Sequence, residues 1–135
     1  MGTSCNIGIL NSNGSVELIY CHWDGYISGV GKLLKSAYTD ILKIRTLISL
    51  GDVSSLGQHL YPSDTKLHTF DNPENDVTVA YCRDRHDPWW LCKPDTYPSV
   101  NYYGKHCKTD YCYLYDTNDS IWKVWNGKNF VIYGG

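Results

Sequence analysis

Two stretches of alternating apolar and polar residues are each divided by an Asn-Gly dipeptide, and both predict β-hairpins. The dipeptides are Asn13-Gly14 and Asn126-Gly127. Asn-Gly between two apolar runs favours the tight turn of an antiparallel pair, because both residues tolerate a positive φ. The strands predicted beside these turns are residues 6–10, 16–22, 121–125 and 129–133.

Between the hairpins, apolar residues recur at helical spacing in two short runs. The first run follows Ser28, a predicted N-cap, and the second follows Asp40 or the preceding Thr39. Gly51 predicts the end of the second helix. The apolar stripes are Val30, Leu33, Leu34, Ala37 and Tyr38 in the first helix, and Ile41, Ile44, Leu47 and Ile48 in the second.

Shorter elements are predicted in the rest of the chain. Residues 52–57 are predicted as a further helical turn and residues 62–75 as a loop, whereas residues 77–82 and 111–115 are predicted as strands. Residues 88–108 hold three prolines among scattered aromatics, which predicts an irregular, aromatic-rich excursion.

These elements predict an α+β fold. With 135 residues, the chain is long enough for one domain, residues 1–135, with a substantial core. We expect a mostly antiparallel sheet of about five to six strands, with two short helices packed on one face. The other face is expected to be partly open and lined by Tyr and Trp.

Charge and composition exclude some partners. The net charge of −2 predicts no strong attraction to nucleic acids or anionic membranes. No apolar run approaches the roughly 20 residues of a membrane helix, and the N-terminus lacks the pattern of a signal peptide, so we expect a cytoplasmic protein. The aromatic composition, with 12 Tyr and 5 Trp against 2 Phe, suits either an antiparallel sheet or a binding surface.

Residues 20–26, Tyr-Cys-His-Trp-Asp-Gly-Tyr, bring a base, an acid, a thiol and several aromatic rings together in one short segment. A strand is predicted to end there and a helix to begin. Alternation places His22 and Asp24 on one face, where they could act as a base and a carboxylate, or could bind to each other or to the following loop and lock a turn. The same alternation places Cys21 on the opposite face, which argues against a Cys–His pair. A small hydrolase or nuclease using His22 and Asp24 is one alternative, but no familiar catalytic motif is present, and we expect no enzyme.

Six cysteines form no Cys-x-x-Cys pair, and without an export signal they are expected to be free thiols. We therefore expect no metal and no cofactor. The alternative is a zinc site formed by Cys82, Cys92, Cys107 and Cys112, with His106 nearby in sequence.

A nucleotide site is a further alternative. Gly29-Val30-Gly31 at a helix start could present free amides to a phosphate, and Arg83 and Arg85, expected on one face with Tyr81, could bind phosphate oxygens. The aromatic rings that could stack on a base are Tyr20, Trp23 and Tyr26. The competing interpretations are close helix packing at the glycines and pairing of the arginines with Asp84 and Asp87.

A protein-binding surface is the alternative that we favour slightly. Trp89, Trp90, Tyr102 and Tyr103 would form an exposed patch in the excursion, and such patches mark interaction sites. The competing interpretation is that Trp89 and Trp90 cover the open sheet face.

The N-terminal half of the chain resembles a family of small uncharacterised proteins carried by bacteriophages and prophages. The most specific match is the Tyr-Cys-His-Trp-Asp-Gly-Tyr motif, and the matches together cover about two-thirds of the chain. The other matching segments are Gly2-Thr3, Asn13-Gly14, Gly29-Val30-Gly31, Leu50-Gly51-Asp52 with Ser54-Ser55-Leu56, Phe70-Asp71 and residues 77–85. The chain departs from the family at Cys82, where members carry Gly, and in residues 88–107.

The resemblance implies a biological setting, and it does not imply a reaction mechanism. Small phage proteins outside the virion often act on the host, either by blocking a defence protein or by sequestering a nucleotide-type signal. We therefore expect an accessory protein in the host cytoplasm that binds a host defence protein, as an anti-CRISPR-like inhibitor does. The alternative partner is a small nucleotide ligand.

Overall fold

The computed structural model describes residues 2–63 and 67–134. The first element of the fold is the predicted N-terminal hairpin. Strand β1 spans Cys5–Leu10 and strand β2 spans Val16–Cys21, in antiparallel register from Cys5 opposite Cys21 to Leu10 opposite Val16. Gly14 has a φ of 88° in the connecting turn. Glycine adopts this positive φ without steric cost, and the antiparallel pairing of the flanking strands confirms the turn predicted from Asn13-Gly14.

The described chain forms one mixed sheet of eight strands, so the predicted five to six strands were too few. The remaining strands are β3 (Val53–Ser55), β4 (Val79–Ala80), β5 (Asp95–Tyr97), β6 (Tyr111–Asp116), β7 (Ile121–Trp125) and β8 (Phe130–Ile132). Their order is β4-β3-β2-β1-β6-β7-β8, and β5 also pairs with β2. Most pairings are antiparallel, but β1–β6 and β2–β3 are parallel.

Two helices follow the first hairpin, as predicted, although the first begins differently. A π-helical turn, Ile27–Gly31, leads directly into α1, Lys32–Ala37. Ser28 lies inside the π turn, so it is not the N-cap. Helix α2 spans Ile41–Ser49, and the Asp40 carboxylate accepts a hydrogen bond from the Leu42 amide, which confirms the predicted cap.

Two predicted elements in the middle of the chain were wrong. Residues 52–57 contain the short strand β3 and no helical turn. Residues 77–82 supply only the short strand β4, because the chain turns into helix α3, Tyr81–Arg85. The Asp84 carboxylate accepts from the Ala80 amide at 2.8 Å and so satisfies a backbone group at the start of α3. The predicted loop at residues 62–75 has no strand or helix in its described part, and residues 64–66 lie outside the described residues.

Residues 88–108 are more regular than predicted. They form helix α4 (Trp89–Cys92), strand β5 and helix α5 (Val100–Lys105). Pro88 is the N-cap residue of α4, and the Ser99 side chain caps α5 by accepting from the Tyr102 amide. Proline at a helix start costs no hydrogen bond, so the prolines separate the elements here.

The sheet is covered on both faces, which corrects the expectation of one partly open face. Helices α1 and α2 cover the first face, where Ile7, Ile19 and Tyr113 are at most 1% exposed. On the second face, Tyr103 of α5 packs with Leu18 and Leu114 in a smaller apolar cluster. Among the described helices, none is long and apolar enough to cross a membrane.

Candidate functional site

Residues 20–31, here called the motif junction, connect β2 to the π turn, and their polar side chains are largely paired with one another. The Tyr20 hydroxyl lies 2.7 Å from His22 Nδ1. The Tyr26 hydroxyl donates to Asp24 Oδ1 at 3.2 Å. Within the described part of the chain, His22 and Asp24 do not bond to each other, and Asp24 is instead bonded to Tyr26 in the following segment, which is the other contact predicted for a turn-locking role.

The backbone explains why the two side chains separate. Asp24 has a φ of 59°, and this left-handed conformation ends the strand alternation on which the prediction depended. The amides of His22 and Trp23 donate to Val53 and Ser54 of β3, which keeps His22 at the sheet. Cys21 is completely buried on the opposite face from His22, as predicted.

The Gly29-Val30-Gly31 amides are already engaged, which favours close helix packing over the alternative of a phosphate cradle. Gly29 and Gly31 donate to the Tyr26 carbonyl, and Val30 donates to the Asp24 carbonyl at 2.9 Å. A Cβ on Gly29 would lie 2.4 Å from the Asp24 oxygen. Close packing therefore accounts for the glycines, and their N–H groups are not available to an anion.

A cavity of about 340 Å³ opens beside the motif junction. Trp23 forms one wall, Leu33 and Leu56 contribute apolar surface, and Asp24 and Lys32 supply charges of opposite sign. The sequence analysis missed Lys32 and Leu56 as site residues. The spacing of Lys32 places it on the polar side of an amphipathic helix, and Leu56 lies far from the motif along the chain. The local sequence therefore did not indicate that either residue lines this cavity.

Arg83 and Arg85 both serve the local structure and do not form a shared phosphate site. Arg83 binds Asp84, with Nε 3.0 Å from Oδ1, and also donates to the Thr78 carbonyl. Arg85 binds Asp87 at 2.6 Å, and its guanidinium lies 4.6 Å from the centre of the Tyr81 ring. The structure therefore favours the interpretation in which these arginines pair with neighbouring aspartates.

His68 is a buried polar residue that sequence reasoning missed. Its Nδ1 accepts from the Glu74 amide at 3.0 Å, and its Nε2 lies 3.2 Å from Asp84 Oδ2. Burial raises the pKa of Asp84, but the hydrogen bonds from Arg83 and the Ala80 amide, together with the nearby His68, outweigh it and lower the pKa below its ordinary value. Both ring nitrogens thus face internal groups, and His68 acts as a brace.

The α4 ridge, defined as Trp89, Trp90 and Leu91, is the most exposed apolar feature of the predicted binding region. These side chains are 48%, 72% and 58% exposed in that order. The next residue, Cys92, is buried, and its carbonyl accepts from the Asp52 amide at 2.8 Å. A backbone hydrogen bond therefore fixes the end of α4 beside the start of β3, while the ridge side chains are largely exposed.

The predicted patch does not extend to all four aromatics. Tyr103 is fully buried and donates to the Tyr113 carbonyl at 2.6 Å, so its place in the surface was wrong. Tyr102 is 41% exposed and stacks on His106, with ring centres 3.8 Å apart. Tyr103 is buried because residues 100–105 form a helix, and the helix directs its side chain into the apolar cluster on the second face of the sheet.

The six cysteines are free. In residues 2–63 and 67–134, no three or more His, Cys, Asp or Glu side chains are grouped to hold a metal ion. The alternative zinc site of Cys82, Cys92, Cys107 and Cys112 with His106 therefore does not form there.

Comparisons with models of known protein families, with curated proteins and with solved structures gave no match.

Proposed function

We propose that this chain is a non-enzymatic binding protein that recognises another protein through the α4 ridge. The observation that carries the proposal is the exposure of three consecutive apolar side chains, of which Trp90 is 72% exposed. Tryptophan is the residue type most enriched among the side chains that dominate protein interfaces. Exposed apolar patches on soluble domains are often interaction sites.

Both ends of α4 are fixed in place, so the ridge would lose little conformational entropy when it binds a partner. Pro88 starts α4, and the Asp52 amide binds the carbonyl at its other end. A pre-ordered surface loses less conformational freedom when it binds than a mobile loop does. The α4 sequence, Trp-Trp-Leu-Cys, carries no charge, so the complementary partner surface is an apolar cleft.

The resemblance of residues 20–26 to the phage family supports the biological setting of the proposal. In that setting the protein acts in the host cytoplasm, and its partner is a host defence protein whose activity it blocks. Under this proposal the motif junction supports the fold, and His22 and Asp24 perform no catalysis.

The test is plaque formation by phage carrying wild-type or variant genes on defended and undefended hosts. We expect Trp90→Ala with Leu91→Ala to remove the advantage on defended hosts, because truncating such a residue typically costs about 2 kcal/mol of binding, roughly a 30-fold loss. The matched control is Leu42→Ala with Tyr61→Ala, which truncates two apolar residues exposed by 73% and 63% on other surfaces.

Two outcomes would contradict the proposal. The first is full activity of the ridge variant with an unchanged circular dichroism spectrum. The second is a concentration-dependent dimer of the wild type that the ridge variant abolishes, because a second copy of the chain would then occupy the ridge.

The second candidate function is sequestration of a small nucleotide-type ligand, and the cavity beside Trp23 favours it. The indole could stack on a base, and Lys32 could pair with a phosphate. Equilibrium dialysis against a panel of cyclic and linear nucleotides tests it. Retention of one nucleotide by the wild type, lost in both Trp23→Ala and Lys32→Ala, would support this function over the first.

A further inference from the structure

The chain contains two Asn-Gly dipeptides, and the fold places both of them in the same kind of setting. Asn13-Gly14 lies in the turn between β1 and β2, and Asn126-Gly127 lies in the turn between β7 and β8. All these residues are exposed, and both glycines have a positive φ with nothing within 4 Å of an added Cβ. Solvent access and steric access therefore do not distinguish the two sites.

The side-chain carbonyls of the two asparagines are also matched. Asn126 Oδ1 accepts from the Lys128 and Asn129 amides, each at 2.8 Å. Asn13 Oδ1 accepts from the Ser15 amide at 3.0 Å and from the Ser15 hydroxyl at 2.6 Å. Two donors on a carbonyl oxygen draw electron density from its carbon and stabilise negative charge that develops on the oxygen. Both Cγ atoms are therefore polarised for attack by a nucleophile.

The amides of the two glycines differ. The Gly14 amide donates to the Asn11 carbonyl at 3.0 Å, which closes the first turn. In the described part of the chain the Gly127 amide donates to no acceptor, and the second turn is closed instead by the Asn126 amide, which donates to the Asn129 carbonyl at 3.0 Å. A backbone nitrogen attacks a carbonyl carbon only after it loses its proton, and a hydrogen bond holds that proton in place. The nitrogen that follows Asn126 is therefore the more available nucleophile.

We propose that Asn126 is a site of spontaneous deamidation, in which the Gly127 nitrogen is the nucleophile and water is the second reactant. The Gly127 nitrogen loses its proton to a solvent base and attacks Asn126 Cγ. Negative charge then develops on Oδ1, to which two amides already donate. The Cγ–Nδ2 bond breaks, the leaving nitrogen takes a proton from solvent, and ammonia departs. A five-membered cyclic imide now joins the Asn126 side chain to the Gly127 nitrogen, and its formation is favoured because both groups belong to neighbouring residues.

Water then opens the imide at either of its carbonyls, and the reaction consumes no oxidant or reductant. Addition at the former side-chain carbonyl gives aspartate. Addition at the backbone carbonyl gives isoaspartate, in which the main chain runs through the side-chain carbon. Both products add one negative charge to the net charge of −2, and isoaspartate also lengthens the turn that sets Trp125 opposite Phe130. The modification therefore changes both the charge and the backbone path beside β8, the last strand at this edge of the sheet.

The test incubates the folded full-length chain at physiological temperature and follows both Asn-Gly peptides by mass spectrometry, with an isoaspartate-specific methyltransferase to identify that product. We expect Asn126 to deamidate about tenfold faster than Asn13, because attack at Asn13 first requires loss of the Gly14 hydrogen bond. The products at Asn126 should include isoaspartate, and the rate should rise with pH because the nitrogen attacks without its proton. Asn126→Gln, in which attack would close a larger ring, is the matched control and should lose this product.

The same incubation in concentrated urea separates the effect of the folded turns from that of the local sequence. Unfolding removes the hydrogen bond of Gly14, so the two sites should then react at similar rates. The proposal would be overturned if Asn13 reacted as fast as Asn126 in the folded chain, or if the difference between the sites persisted in urea. Aspartate without isoaspartate at Asn126 would also overturn it, because that product indicates direct hydrolysis by water.

Discussion

The motif junction and the α4 ridge are both rich in aromatic residues, but they use these residues in opposite ways. In the junction, the Tyr20 and Tyr26 hydroxyls are bonded to His22 and Asp24, and the glycine amides are bonded to backbone carbonyls. In the ridge, Trp90 is 72% exposed, and in the described part of the chain neither indole N–H donates a hydrogen bond.

The chemical variety of a segment is therefore a poor guide to the exposure of its side chains. The junction contains a base, an acid, a thiol and several aromatics, yet most of their polar atoms are satisfied internally. The ridge contains apolar side chains with one polar atom per indole, yet it offers the larger surface to a partner.

The rigidity of the junction predicts a large effect for Gly29→Ala. The new Cβ would lie 2.4 Å from the Asp24 carbonyl oxygen and 2.9 Å from the Tyr26 ring. We expect a loss of about 3 kcal/mol in the free energy of unfolding, measured by urea denaturation, because backbone oxygen cannot move away cheaply. Gly134→Ala is the control, since nothing lies within 4 Å of its Cβ. Equal stability of the two variants would show that the junction is not rigid.

Asp52 connects the two regions and predicts a dependence on pH. Its carboxylate accepts from the Tyr20 amide, its own amide donates to Cys92 at the end of α4, and burial raises its pKa to about 6. The folded-state pKa exceeds the unfolded value of about 3.9, so the folded protein keeps this proton longer. The stability contributed by Asp52 is complete below about pH 4 and is lost as the pH rises through about 6.

Asp52→Asn should therefore gain stability over the wild type as the pH rises from about 4 to 7. The expected gain is about 1 kcal/mol after a discount for the partial exposure of the carboxyl group. Thermal unfolding of both proteins across this pH range measures it. A constant difference between the two proteins at every pH would contradict the assignment to Asp52.

The pairing of Tyr20 with His22 predicts a coupling energy. In a double-mutant cycle of Tyr20→Phe and His22→Ala, we expect about 1 kcal/mol of non-additivity, typical of one hydrogen bond. The matched cycle is Tyr26→Phe with Asp24→Ala, where the bond is longer and Tyr26 is 40% exposed. Its coupling energy should be smaller, and a larger value would reverse the order of the two pairs within the junction.

The ridge predicts the smallest change. Trp90→Ala should alter the free energy of unfolding by no more than about 0.5 kcal/mol, because a side chain this exposed contributes little to the core. Trp89→Ala should cost more, since its ring packs over Gly51. Guanidinium denaturation of both variants measures the difference. A large loss for Trp90→Ala would assign the ridge to the fold and remove its contrast with the junction.

The sequence predicted the parts of the fold that depend on local signals. Asn13-Gly14 and Asn126-Gly127 located both hairpins, and Asp40 located the start of α2, because turn and cap preferences act between near neighbours. The α+β class followed from these elements. Residues 88–108 were predicted poorly because their prolines start or separate elements, and proline alone does not distinguish that role from disorder.

The candidate site was less predictable, since contacts between distant segments decide it. Arg83 seemed available to a ligand until the fold brought the Thr78 carbonyl against its guanidinium. Tyr103 was assigned to the surface, but α5 directs it to the Tyr113 carbonyl in the second core. Exposure of the α4 tryptophans was expected from composition, whereas their anchoring through Asp52 had no local signal.

The parallel pairing of β1 with β6 has a consequence for the order of folding. It brings together strands whose first residues are Cys5 and Tyr111, and the nearby hydrogen bond from the Ser4 amide to Asp110 spans 106 residues. Contacts between such distant residues form late, because closing a long loop costs entropy before any contact offsets it. During synthesis, β1 can pair with β2 early but must wait for β6. Its unpaired edge is then a template for other strands, so the incomplete chain is the state most open to aggregation.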